Sequence, residues 1–122
     1  MYIDRMKKLI VLAAAAVLAI VLAPGGRADN ETVAIKGEVV DLHCFLTRGA
    51  HGEEHAGCSN ACLSRDVPAG FLADDGTLYL LVNEKPNSVK EKVGGKAGKK
   101  WTARGKVVER NGMKALQVTS ID

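Results

Sequence analysis

Every cysteine and every histidine of this 122-residue chain falls in the stretch from Asp41 to Cys62, DLHCFLTRGAHGEEHAGCSNAC. It holds Cys44, Cys58 and Cys62 together with His43, His51 and His55. Thiolate and imidazole are the soft and borderline donors that transition metals take. If residues 51–62 were helical throughout, His51, His55, Cys58 and Cys62 would follow one another by four, three and four residues. That spacing traces a single stripe along a helix. Cys44, read as the end of the preceding strand, would close over the stripe. A helix beginning later, at Glu53, would still place His55, Cys58 and Cys62 on one face. The ligand set this favours is Cys44, His55, Cys58 and Cys62, with His51 either solvent-exposed or an additional, exchangeable ligand. Three thiolates and one imidazole suit a closed tetrahedral zinc site, and the same donors suit Cu(I).

A disulfide competes with the metal. Cys44 paired with Cys58 or Cys62 would staple the stretch to the rest of the chain and contribute roughly 2–4 kcal/mol. Three cysteines then leave one over, free or joined to another protein, whereas a Cys3His site uses all of them. Redox chemistry at the thiols is a third reading. His43, beside Cys44 on a strand, would face away from it as a surface residue. Asp41 is either an acceptor behind a ligating histidine or an ordinary strand-end aspartate.

The first residues bear on the compartment. Arg5, Lys7 and Lys8 precede an unbroken apolar run from Leu9 to Ala23, and Gly26-Arg27-Ala28 supplies small residues for cleavage. This is the pattern of a signal peptide over residues 1–28, with one small domain over residues 29–122. An uncleaved anchor is the competing reading, and the run is short of the about 20 residues a membrane span needs. The expected location is therefore periplasmic or secreted, with no membrane attachment after cleavage. The leader carries Arg5, Lys7, Lys8 and Arg27 against Asp4, a surplus equal to the whole formal charge of +3. The remaining chain is neutral and has no general attraction for nucleic acid or anionic lipid.

The elements that must position the cluster follow from pattern. Thr32 to Phe45 reads as a long first strand with Gly37 as a bulge or bend. Thr47 to Gly52 has turn composition, and Glu53 to Ser64 reads as a short helix with acidic residues at its start. AGFLA and TLYLLV flank Asp74-Asp75-Gly76 as a hairpin. Asn87 or Ser88 caps a short helix over VKEKV, which Gly94-Gly95 stops. Lys99 to Glu109, bent at Gly105, and Met113 to Ile121 form a second hairpin around Asn111-Gly112. The fold class is mainly β: a five-stranded barrel like the oligonucleotide/oligosaccharide-binding (OB) fold. The cysteine-bearing insert follows strand 1, and a short helix lies between strands 3 and 4.

Other chemistries lack their motifs. There is no Gly-x-Ser-x-Gly, phosphate-cradling glycine loop, His-Glu-x-x-His, Cys-x-x-Cys or Cys-x-x-Cys-His. No catalytic residue is assigned, and an enzyme ranks third, behind a metal-binding protein and a disulfide-stapled interaction module. Single-strand binding needs aromatic platforms in a basic groove. Beyond the leader the chain offers only Phe45, Phe71, Tyr79 and Trp101, each read as core.

The succession of a leader, GEVVDLHC, HAGCSNAC and PAGFLADDGTLYLL resembles small exported bacterial proteins of OB-like build with no assigned function. The resemblance spans roughly Val33 to Val82. It implies an extracytoplasmic protein and singles out Cys44, His55, Cys58 and Cys62, but carries no activity with it.

Overall fold

Alternating apolar residues in five segments, separated by turn residues, build a sheet that closes on itself. A computed structural model describes residues 31–122; the leader expected over residues 1–28 lies outside the described residues. The strands are β1 (Thr32–Asp41), β2 (Ala69–Ala73), β3 (Leu78–Asn83), β4 (Lys100–Arg110) and β5 (Met113–Ile121). Between β1 and β2 lie α1 (Leu42–Arg48), a 3-10 turn (Glu53–His55) and α2 (Ala56–Leu63), and α3 (Lys90–Val93) lies between β3 and β4. The barrel closes in the order β1-β2-β3-β5-β4, with β3 and β5 parallel and the other pairs antiparallel. This is the mainly β, five-stranded OB-like barrel that the sequence predicts.

β1 makes the closure by serving two neighbours. Thr32 to Glu38 pair with β4, and Gly37 to Asp41 pair with β2. The handover falls at Gly37, where a Cβ would stand 2.2 Å from the Leu72 carbonyl oxygen. A side chain there would force the two strands apart, so the glycine permits a close approach rather than a bulge. The shift in register lies instead between Arg104 and Gly105, where a bend was expected.

The barrel interior is filled by Val39, Phe71, Leu81, Ala103, Leu116, Val118 and Ile121, with Leu63 of α2 and Val93 of α3 joining the same cluster. Trp101 and Tyr79 pack against this core, as expected. Trp101 also donates its indole N–H to the Lys96 carbonyl at 2.8 Å. Ser88 Oγ accepts from the Lys90 amide at 3.1 Å, at the start of α3.

Exposure along β1 shows where the insert sits. Residues 32–36 alternate between exposed and half-buried, whereas Gly37 to Asp41 are all buried. Alternation ends because the insert covers the outer face of the second half. Val40 points outward and is still only 1% exposed. Leu42 lies over Gly70, where a Cβ would stand 2.6 Å from Leu42 Cδ2 and 3.2 Å from Val40 Cγ2.

One expectation is corrected. The first strand does not run to Phe45: it stops at Asp41, and Cys44 lies in a helix. Asp41 has extended φ/ψ and its Oδ1 accepts from the Cys44 amide at 2.8 Å, the geometry of a helix N-cap. Gly49, with φ 67°, ends α1, and its amide bonds back to the Phe45 carbonyl.

Candidate metal centre

Two short helices and the strand beneath them bring the three sulfurs together. α1 turns Cys44 inward, where it is 4% exposed, while His43 and Leu46 face outward. The chain then crosses the outer face of β1 over residues 49–52. Glu38, a buried carboxylate on that face, takes two hydrogen bonds on Oε1: from the Gly52 amide at 2.9 Å and, as partner, His51 Nδ1 at 3.0 Å. Phe45 meets the His51 ring edge-on, with centroids 6.1 Å apart. A buried carboxylate without partners would be costly. Glu38 is therefore fixed by the loop as firmly as it fixes the loop.

Beyond the 3-10 turn, α2 carries Cys58 and Cys62 one turn apart on the same side. Ser59 and Leu63 occupy its buried face. Asn60 Oδ1 accepts from the Ala97 amide at 3.0 Å and ties the helix to the loop before β4. Gly98 in that loop has φ 82°, and a Cβ there would stand 2.7 Å from Ala56 Cβ and 2.8 Å from the Gly52 oxygen. The insert is thus seated against a surface that only glycine leaves open.

The outcome is that Cys44, Cys58 and Cys62 present sulfurs all within 4.8 Å of one another. Cys44 is buried, Cys62 half-buried and Cys58 exposed, and all three are free. Some point lies within about 2.8 Å of three atoms so spaced, against metal–thiolate bonds of about 2.3 Å. Inward shifts of roughly 0.5 Å per side chain would therefore complete coordination.

Two guanidinium groups border the cluster. Arg48 Nη2 donates to Cys44 Sγ at 2.8 Å, and Arg65 Nη2 donates to Cys62 Sγ at 3.7 Å. The Arg48 hydrogen bond is the largest influence on the Cys44 thiol and favours its thiolate. Burial and the charge of Asp41 act the other way, and the Cys44 pKa is raised overall. Arg48 in turn is held in its charged form, first by the hydrogen bond to Cys44 and then by the charges of Cys44, Cys58 and Asp41. Asp41 Oδ2 is buried and has no hydrogen-bond partner.

The histidines are placed differently from the expected stripe. Gly52, with φ 80° and ψ −180°, is not helical, so His51 stands outside α2 and turns to Glu38. His55 is exposed, ends the 3-10 turn and lies outside the three-sulfur group. Sequence reasoning missed Arg48, Glu38 and Asn60. Arg48 lies four residues after Cys44, a signal legible once α1 is known to be helical. No signal in the sequence marks Glu38 as buried, because its burial depends on the insert returning across the strand at His51 and Gly52.

Three converging thiols can bind a soft metal ion, or two of them can close to a disulfide near 2.05 Å. Among the described residues, no helix is long and apolar enough to cross a membrane. No family model, curated protein or solved structure matches the chain.

Proposed function

We propose that this is a small exported metal-binding protein, in which Cys44, Cys58 and Cys62 hold one zinc or copper ion. The observation that carries the reading is the convergence of all three sulfurs within 4.8 Å. Cys58 and Cys62 lie one turn apart on α2, but Cys44 comes from α1, fourteen residues before Cys58, so local spacing alone does not account for it. His55, exposed at the entry to α2 and outside the three-sulfur group, would reach a zinc ion as fourth ligand only by moving toward it, and His51 would serve as a further, exchangeable ligand only by leaving Glu38. Three thiolates without a histidine already satisfy Cu(I). Export follows from the leader pattern of residues 1–28, and a periplasmic or secreted location from export.

The same proximity favours a second reading: a non-catalytic OB-like interaction module in which a disulfide pins the insert. Oxidising conditions outside the cytoplasm would promote it. Thiol titration separates the two. A bound ion protects the thiols until a chelator is added, whereas a disulfide lowers the number of titratable thiols whatever the chelator.

A further inference from the structure

We infer that the three-cysteine site is a preformed cargo site that passes its ion to acceptor thiolates by way of Cys58. This deepens the metal-binding reading and rests on it. In a structural metal site, the ligand loop owes its shape to the ion, because nothing else holds it. Here four contacts that involve no sulfur hold the insert, beside the two guanidinium–sulfur hydrogen bonds. Asp41 caps α1 through the Cys44 amide, Glu38 takes the Gly52 amide and His51, and Asn60 takes the Ala97 amide. Ala50, Ser59 and Leu63 are buried beneath it. None of these contacts draws on a ligand sulfur or on an ion. The donors therefore await the ion in place, and removing the ion leaves the insert folded.

The exposures of the three donors give the direction of traffic. Cys44 is at the back of the site and fully covered, Cys62 is half-covered, and Cys58 faces solvent. Of the three donors, Cys58 leaves an incoming donor the widest approach. An acceptor thiol loses its proton and bonds to the ion as one further ligand. The Cys58 sulfur–metal bond then breaks, and the released thiolate takes up a proton. The same exchange at Cys62 and then at Cys44 frees the ion; the metal keeps its oxidation state, and each proton given up by the acceptor balances one taken by a cysteine. The partner implied is a chain or small molecule presenting two or more thiolates.

The test uses residues 29–122, reduced, either stripped with a chelator or loaded with one equivalent of Zn(II). Amide hydrogen exchange is read at Cys44, Gly52 and Ala97, the three donors of the sulfur-free contacts. Transfer of Zn(II) to a dithiol chelator is followed over a range of chelator concentrations. The inference predicts that protection at these amides in stripped and loaded protein agrees within about threefold. It also predicts a transfer rate that rises in proportion to chelator concentration. Amides unprotected in the stripped protein, or release at a rate independent of the chelator, would overturn it and make the ion structural. Failure to take up any Zn(II) or Cu(I) with all three thiols reduced would instead remove the metal-binding reading beneath it.

Discussion

The barrel wall and the insert are built by different physics. The wall is apolar and periodic: Phe71, Leu116 and Val118 are fully buried, and each strand is held by ladder bonds to two neighbours. The insert buries few large apolar side chains of its own. It is held by polar groups at single points, a capping aspartate, a buried glutamate and an asparagine. Hydrophobic burial is non-directional and tolerates small shifts, whereas a hydrogen bond fixes position at the cost of being easily lost. A scaffold of the first kind and a site of the second kind suit a protein that must hold three sulfurs at set distances. They also predict that damage to each region has different consequences.

Breaking the wall should abolish both. Phe71→Ala removes the largest buried side chain of the core and should cost about 3–5 kcal/mol of stability, read by denaturant unfolding. Ion binding should disappear with the fold in that case. Breaking the seat of the insert should separate the two. Gly98→Ala sets a Cβ against Ala56 and the Gly52 oxygen at a positive φ, costing about 1–3 kcal/mol. Thiol accessibility of Cys44 should rise while the strand amides stay protected. Glu38→Ala leaves the Gly52 amide without its acceptor and should cost about 1–3 kcal/mol, with exchange at Gly52 accelerated.

The smallest effects sharpen the comparison. Asp41→Ala removes the cap of α1 and should cost about 1 kcal/mol, at the lower end because the unpartnered Oδ2 goes with it. Cys58→Ser, at an exposed position, should change stability of the ion-free protein by no more than about 0.5 kcal/mol. Its effect on ion retention should nevertheless be large. A variant that is neutral for folding and severe for binding marks a residue kept for chemistry.

The same contrast explains what could be read in advance. The order of the five strands follows from Asp75-Gly76, Asn111-Gly112 and the Gly94-Gly95 stop, because turn chemistry is local and visible in sequence. The end of β1 was not legible in this way. Val39-Val40-Asp41-Leu42 continues a strand pattern, and only the pairing of Asp41 as cap with Gly49 as stop reveals the helix between them. Grouping of the three cysteines was apparent from their clustering. The histidine stripe assumed a helix beginning at His51, which the backbone of Gly52 prevents. Glu38 gave no signal, since its burial depends on an insert that returns across the strand thirteen residues later.

The central claim is that Cys44, Cys58 and Cys62 hold one metal ion. Native mass spectrometry of the protein, compared before and after denaturation, tests it most directly. The account predicts a mass excess of one zinc or one copper that is lost on denaturation, with all three thiols reduced. A protein two hydrogens short, carrying no metal in either condition, would contradict it and make the insert a disulfide-stapled surface.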